Sequence, residues 1–249
     1  MVPILLVTGI ANSGKSTLSD MICKTNPNTT QLALADPIKR FVGELFDVPA
    51  EYLWGPSELR DKVITVNPIK IISKIKLMNF TEEVFRNINR KQESILVDFI
   101  KTIPHEISVR KLLRWVGSEY GRTYDSDIWI NLGIQTAYAL LRGGYQYNSY
   151  TGLVQQTSQL PYNLVVISDG RFINEVLKVN EINGVCWKIE SGTTNDEHVS
   201  EWEVNRMSDY LFNRTVLNTK NGFDGLQEFV YIGLKDFLPK KFFTFPDRK

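Results

Sequence analysis

The segment VTGIANSGKST, Val7–Thr17, constrains the fold of this chain more than any other stretch. It fits the pattern G-x-x-x-x-G-K-[ST], with Gly9, Gly14, Lys15 and Ser16 at the fixed positions. In such a loop, backbone N–H groups at a helix N-terminus converge on phosphate oxygens, and glycines let the backbone approach closely. The lysine would reach the β- and γ-phosphates, and the serine hydroxyl would bind Mg²⁺. The segment predicts a nucleotide-binding loop, with chance occurrence of the pattern as the alternative.

Strand and helix patterns alternate along the chain around this loop. Val2–Thr8 is a continuous apolar run, typical of a parallel strand buried on both faces, and Lys15–Lys24 follows as a helix. Further strands are predicted at 31–35, 163–168, 185–189 and 215–217, and further helices at 36–46, 108–119, 127–141, 172–183 and 226–237. This order predicts a three-layer α/β fold with a parallel central sheet.

The 249 residues are predicted to form a single domain, 1–249, with one insertion and one long loop. The periodicity is unclear from about 49 to 108, where Gly55-Pro56 has turn chemistry and the following stretch is rich in lysine. This part is expected to be a substrate-binding insertion. A second stretch, at about 143–162, is rich in Gly, Ser, Gln and Tyr and predicts a long loop or an exposed hairpin.

Composition excludes several classes of protein. Lys and Arg number 29 against 28 Asp and Glu, and this balance argues against a protein that binds nucleic acid through bulk charge. Cys23 and Cys186 are far apart with no C-x-x-C, which argues against a disulfide framework and a thiolate zinc site. No apolar run approaches the roughly 20 residues that cross a bilayer. We expect a cytoplasmic protein with no direct nucleic-acid or membrane partner.

The segment VVISDGR places an acid and an arginine after a buried strand. Asp169 is followed by Gly170 and Arg171, and the chain has neither the N-K-x-D of GTPases nor an Asp-Glu pair after this strand. An acid that can steer Mg²⁺, followed by an arginine, favours transfer to a second phosphorylated substrate over attack by water. The alternative is that Asp169 caps the next helix.

A basic cluster lies in the segment VRKLLRWVG. Arg110 and Arg114 are four residues apart and share a helix face, with Lys111 beside them. Two guanidinium groups could clamp a phosphate in bidentate fashion. The alternative is a solvated helix face. Lys39 and Arg60 are weaker candidates of the same kind.

An ordered set of segments resembles the deoxynucleoside monophosphate (dNMP) kinases of tailed bacteriophages, in the P-loop NMP-kinase group. The segments are GIANSGKST, LALADPIKRF, LWGPSELRD, VRKLLRWVGSEYGRTYDSDIWI, VVISDGRFINEV and DEHVSEWEV. The resemblance implies a P-loop NTPase fold whose insertions form a substrate lid. It also implies transfer of a phosphoryl group from ATP, with Mg²⁺, to a dNMP for viral DNA synthesis, in the host cytoplasm if the chain is phage-encoded. The accepted base, modified pyrimidines included, and a homodimeric state are left open.

The resemblance assigns roles residue by residue. ATP would bind to Gly9, Ala11, Asn12, Ser13, Gly14, Lys15, Ser16 and Thr17. The dNMP would bind near Asp36, Lys39, Trp54, Arg60, Arg110, Lys111, Arg114, Trp129, Asp169 and Arg171. The catalytic residues would be Lys15, Arg110, Lys111, Asp169 and Arg171, with Mg²⁺ on Ser16 and Asp169. No role is assigned to His198, Ser200 and Glu201, which match a further family segment.

One position departs from the family pattern, and two other functions remain open. Relatives often have Asp where this chain has Ser16, and serine restores the usual hydroxyl ligand for Mg²⁺.

The first alternative function is that of another small-molecule P-loop kinase, acting on a nucleoside or a coenzyme precursor. The second is a nucleotide-dependent switch protein without acceptor chemistry.

Overall fold

A computed structural model of the chain describes residues 1–75, 90–123, 125–190, 203–204, 206–218 and 224–238. The chain divides into two compact units. The first comprises Met1–Leu34, Ile130–Ser149 and Leu153–Lys249, and the second comprises Ala35–Trp129 with Tyr150–Gly152. The predicted insertion at about 49–108 falls within the second unit.

The described residues form short strands and helices in alternation. The strands are β1 (Ile4–Thr8), β2 (Thr29–Leu32), β3 (Val63–Thr65), β4 (Glu106–Ser108), β5 (Tyr145–Asn148), β6 (Leu153–Gln156), β7 (Leu164–Gly170), β8 (Val185–Glu190) and β9 (Arg214–Leu217). The helices are α1 (Lys15–Thr25), α2 (Asp36–Phe46), α3 (Ala50–Trp54), α4 (Pro68–Ile75), α5 (Arg90–Thr102), α6 (Val109–Trp115), α7 (Ile128–Arg142), α8 (Ile173–Glu181) and α9 (Asp224–Phe237). Short 3₁₀ turns lie at Ser57–Asp61 and Asp209–Leu211, and a π-helical turn lies at Val116–Arg122.

The first unit is built on a five-stranded sheet with the order β2-β7-β1-β8-β9. All four neighbouring pairs are parallel. The prediction of an α/β fold with a parallel central sheet is therefore confirmed. Strands β5 and β6 form a separate antiparallel hairpin, which is the second of the two alternatives for the stretch at about 143–162.

Helices cover both faces of the central sheet. Leu5 and Val7 of β1 pack in one apolar cluster with residues of α1 and α9. Side chains alternate along a strand, so Leu6 and its partner in register, Cys186, point to the opposite face. There the Cys186 thiol lies 3.6 Å from the Val176 carbonyl oxygen of α8. The strand β1 is thus buried on both sides, as its uninterrupted apolar sequence predicts.

Several element boundaries differ from the sequence prediction, mostly by one or two residues. Strand β2 occupies 29–32 rather than 31–35, and β7 continues through Asp169 to Gly170 instead of ending before the acid. The helix predicted at 108–119 begins after Ser108, whose Oγ accepts a hydrogen bond from the Lys111 backbone N–H, and it changes to a π-helical turn after Trp115. The start is set by a side-chain cap, and the extra residue in the turn cannot be read from periodicity.

The second unit combines helices with a two-stranded ladder. Strands β3 and β4 pair antiparallel, with Val63 opposite Ser108. Tyr120 in the π-helical turn stacks on Phe41 of α2 at 6.2 Å between ring centroids and lies 5.4 Å from Phe99 of α5. These aromatic contacts tie α2, α5 and the turn together. Within the described parts of the chain, no helix has the length and apolar character needed to span a membrane.

Candidate functional site

The loop between β1 and α1 contains several residues with a positive φ. Gly14 precedes α1 in a left-handed conformation at φ 102°, and Asn12 is left-handed at φ 59°. A Cβ on Gly9 would overlap the Ile189 carbonyl oxygen of the neighbouring strand and would lie 2.7 Å from Ser13 Oγ. Both glycine positions therefore exclude larger residues, one by conformation and one by space.

Lys15, the first residue of α1, closes this loop. Its side chain is 8% exposed, and its Nζ donates hydrogen bonds to the carbonyl oxygens of Gly9 at 2.7 Å and Ile10 at 2.6 Å. The first turn of α1 contains no acidic residue. A buried ammonium group and a helix N-terminus lie together, which is an electropositive environment suited to an anion.

The other predicted ATP-binding residues differ in exposure. Ser16 is exposed, Ala11 and Thr17 are partly buried, and Ser13 is buried. Ser13 Oγ has no hydrogen-bond partner among the described residues. Since buried hydroxyls are normally paired, this donor would be satisfied by a ligand or a water molecule in the loop.

Asn218 is a loop contact that the sequence analysis missed. Its side-chain amide donates a hydrogen bond to the Ser13 carbonyl oxygen at 2.8 Å, and its backbone N–H donates to the Glu190 carbonyl oxygen at 2.7 Å. A Cβ on Gly14 would lie 2.6 Å from the Asn218 amide nitrogen. The residue directly follows β9, at the carboxyl edge of the parallel sheet, and this position is the only sequence signal that could have found it.

Asp169 lies within β7, next to the strand that leads into the loop. Its Oδ1 accepts a hydrogen bond from the Leu34 backbone N–H at 2.7 Å. The adjacent residue, Gly170, is in register with Thr8 of β1 and accepts a hydrogen bond from the Thr8 hydroxyl at 2.9 Å. Asp169 is therefore at the same sheet edge as the start of the loop.

Glu175 bonds the backbone that leads into helix α8. Its carboxylate accepts hydrogen bonds from the backbone N–H groups of Arg171 at 2.7 Å and Phe172 at 3.0 Å. These two residues precede the first helical residue, so both interpretations of Asp169, as a metal ligand and as a helix cap, stay predictions. The Arg171 side chain is partly buried, and its catalytic role stays a prediction.

In the second unit, Asp36, Lys39 and Trp54 form a cluster at the start of α2. The Asp36 side chain is almost fully buried and forms an ion pair with Lys39 at 2.7 Å. The Lys39 ammonium lies 5.8 Å from the centroid of a Trp54 ring, within the range of a cation–π contact. The Trp54 indole nitrogen is buried and has no hydrogen-bond partner among the described residues. Three predicted substrate residues thus lie together.

Arg60 and Arg110 also lie close together in the second unit. Burial, and then the charge of Arg110, lower the pKa of the Arg60 guanidinium, while nearby carboxylates, that of Asp36 included, oppose this shift. The Arg110 fork contacts Asp61, with Nε 2.6 Å from Oδ1, and its Nη2 donates to the Ser57 carbonyl oxygen at 2.9 Å. Two neighbouring guanidinium groups favour an anion as a further ligand.

The remaining residues of the basic helix have different surroundings. Lys111 is exposed, with its ammonium 5.0 Å from the centroid of a Trp115 ring. Arg114 is partly buried, and its charge lowers the pKa of Glu119, although burial outweighs this effect and the net shift is upward. Their predicted phosphate contacts stay predictions.

Trp129 is a buried packing residue of the second unit. Its side chain is 3% exposed, and its indole N–H donates to the Gly117 carbonyl oxygen at 2.8 Å. A Cβ on Gly121 would overlap the same ring, so the π-helical turn closes directly over it. These contacts make Trp129 part of the support for that turn. The family segment with His198, Ser200 and Glu201 lies outside the described residues.

The predicted site residues form two groups, one in each unit. The loop and Asp169 belong to the first unit, and the clusters around Asp36 and Arg60 belong to the second. Mg²⁺ prefers oxygen ligands and keeps several waters, so one hydroxyl and one carboxylate oxygen are a fitting protein contribution to a magnesium–phosphate complex.

No protein-family model matches this chain, and no curated protein matches its sequence.

Proposed function

We propose that this protein is an ATP-dependent deoxynucleoside monophosphate kinase with a P-loop NTPase fold. The observation that carries the proposal is the loop after β1, where left-handed Gly14 opens a helix and the buried Lys15 ammonium donates to the loop's own carbonyls. ATP would bind to this loop. The resemblance to phage dNMP kinases supplies the acceptor class.

Lys15 would bind the phosphoryl group that is transferred. In the structure, its ammonium donates to two neutral carbonyl oxygens. A negatively charged phosphate oxygen is a stronger acceptor and can replace them. Because phosphoryl transfer needs positioning and charge stabilisation more than covalent help from the protein, a buried cation at this point supplies what the reaction requires.

Mg²⁺ would be held by Ser16 and Asp169 together with phosphate oxygens and water. The Ser16 hydroxyl is exposed at the first turn of α1. The Asp169 carboxylate accepts the Leu34 N–H at the same edge of the sheet, and carboxylate oxygens are preferred ligands of Mg²⁺. When bound, the ion would neutralise the charge of the ATP phosphates.

The acceptor monophosphate would bind in the second unit. Lys39, Arg60 and Arg110 supply positive charge there. The pKa of Arg60 is lowered by burial and by the charge of Arg110, and the nearby carboxylates only partly offset this shift. A phosphate dianion would relieve the repulsion between the two guanidinium groups. An oxygen of its α-phosphate would then attack the γ-phosphorus of ATP, the bond from that phosphorus to the β,γ-bridging oxygen would break, and ADP would leave with that oxygen. Arg171 is a further predicted partner for the charge that develops.

Release of ADP with a panel of acceptors tests the proposal directly. We expect rapid release with at least one canonical or modified dNMP, and slow release with ATP alone, because the VVISDGR segment has no second acid to position water. Activity with a nucleoside or a coenzyme precursor but no dNMP would indicate another small-molecule kinase. Binding of ATP without transfer to any acceptor would indicate a switch protein.

A further inference from the structure

The turn Tyr150–Gly152, between β5 and β6, is a part of the second unit that the predicted site does not include. Arg40 of α2 donates hydrogen bonds from Nη1 to the carbonyl oxygens of Gly152 and Thr151, the latter at 3.4 Å. The turn therefore bonds through its backbone to the helix that begins with Asp36.

Gly152 brings this turn against Asp36. It is buried, it has a φ of 65°, and a Cβ built on it would lie 2.5 Å from Asp36 Cβ and 2.6 Å from Arg40 Nη1. The left-handed conformation and the lack of space both require glycine. The position of the Asp36 side chain therefore depends on the path of the turn.

Asp36 in turn orients a candidate substrate residue. Its carboxylate is 2.7 Å from the Lys39 ammonium, which lies 5.8 Å from the centroid of a Trp54 ring. The contacts run in one direction without a gap, from the backbone of Gly152 to Asp36, then to Lys39 and Trp54. A shift of the turn would move the carboxylate that pairs with this ammonium.

We infer that the turn Tyr150–Gly152 is a positioning element of the acceptor site. It sets the affinity for the nucleoside monophosphate by holding Asp36, and through it Lys39, in place, and it has no part in binding ATP. This inference rests on the proposed function, because it concerns the same acceptor. A turn that only packs on α2 would affect stability alone.

The hairpin contains a matched pair of glycines for the test. Gly144, at its other end, also has a positive φ, 81°, but a Cβ built there meets nothing within 4 Å. Gly144→Ala and Gly152→Ala therefore carry a similar conformational penalty, and only Gly152→Ala displaces Asp36. Arg40→Lys is a third variant, which keeps the charge and removes the guanidinium whose Nη1 bonds both carbonyl oxygens of the turn.

The experiment measures KM for the dNMP, KM for ATP, kcat and the melting temperature of the wild type and the three variants. We expect Gly152→Ala to raise KM for the dNMP at least about fivefold with KM for ATP within about twofold, and Gly144→Ala to leave both within about twofold. Arg40→Lys should change KM in the same direction as Gly152→Ala, and it decides the matter if Gly152→Ala does not fold.

Other results separate this inference from the proposed function. If the wild type phosphorylates a dNMP but Gly152→Ala and Gly144→Ala behave alike, the positioning role is wrong and the kinase proposal stands. The role is also wrong if Gly152→Ala raises both KM values equally, or lowers only the melting temperature. If the wild type neither binds a dNMP in calorimetry nor phosphorylates one, both proposals are overturned.

Discussion

Replacement of Lys15 by methionine tests the nucleotide site most directly. Methionine keeps the apolar stem and removes the ammonium that donates to Gly9 and Ile10. Loss of one group that stabilises transition-state charge typically lowers kcat by about 10²–10³-fold, equivalent to roughly 2.7–4 kcal/mol. We expect a fall of at least this size in the rate of ADP release with saturating dNMP.

The same substitution should also lower the stability of the free protein. Hydrogen bonds to charged groups contribute about 1.5–3 kcal/mol each. Removing a buried ammonium returns part of its desolvation cost, so we expect a net loss of about 1–3 kcal/mol in the free energy of unfolding, measured in urea. The sequence pattern assigns Lys15 only to phosphate, so this loss of stability follows from its bonds in the structure.

Lys24→Met is the matched control for Lys15→Met. Lys24 is exposed in the last turn of the same helix, where its charge contributes about 0.3–1 kcal/mol through the helix dipole. Its variant should retain wild-type turnover. A Lys15→Met protein that turns over within about threefold of the wild type, with ATP affinity unchanged, would refute the assignment of the loop as the phosphate site.

Three further outcomes follow from the described contacts. Asn218→Ala should raise KM for ATP with KM for the dNMP unchanged, in steady-state kinetics, because the amide holds the loop carbonyl ahead of the glycine at the start of α1. Trp129→Phe should cost about 1–3 kcal/mol of unfolding free energy in urea, because it leaves the buried Gly117 carbonyl oxygen without its donor. Burial raises the pKa of Cys23 and Cys186 to about 12, so iodoacetamide at about pH 8 should label both thiols only after unfolding. The free energy of unfolding should fall as the pH rises above about 9, because the thiols then ionise in the unfolded chain before they ionise in the folded one.

The central sheet could be predicted because its strands carry their own signal. β1 and β7 each begin with an uninterrupted apolar run, as expected of strands with helices on both faces, and each was placed within two residues of its observed start. β2, with the polar sequence TTQL, was predicted too far along the chain. Its position is fixed by pairing with β7, for instance Thr29 opposite Leu164, and such a register is not visible in a local pattern.

The second unit was much less predictable. β3 and β4 have three residues each and pair across more than 40 positions of sequence, with Ile64 opposite Ile107. Strands this short have too few residues for an alternating pattern to be detected. In α4, Ile69 is 79% exposed to solvent. The positions of the apolar residues in this helix therefore do not show which of its faces is buried.

Some parts of the candidate site could likewise be predicted from the sequence, and others could not. The loop could be proposed from the sequence because its chemistry is contained in one contiguous segment, whose glycines and lysine would act on a single ligand. Asn218 and Gly152 were missed because their importance comes from the residues opposite them, Ser13 and Asp36, far away in sequence. Neither position belongs to a motif.

The contacts of Arg110 change what its substitution can reveal. The sequence predicted a guanidinium directed at phosphate, whereas the structure pairs Nε and Nη2 with both carboxylate oxygens of Asp61. This bidentate contact also holds the pKa of Asp61 below its ordinary value. Asp61 is 63% exposed, so water can replace it readily. A doubly charged phosphate should therefore displace Asp61 from the fork at little cost.

Kinetics of Arg110→Ala, Arg110→Lys and Asp61→Asn then distinguish a substrate contact from a surface ion pair. If Arg110 binds the acceptor phosphate, both arginine variants should lose more than about tenfold in kcat/KM, since lysine lacks the fork, while Asp61→Asn should stay within about threefold. A surface pair would instead give equally small effects for all three, since exposed ion pairs contribute little. The Arg110→Ala/Asp61→Asn double variant completes the cycle. If the Arg110 guanidinium binds phosphate in place of Asp61, the kcat/KM of the double variant should match that of Arg110→Ala alone.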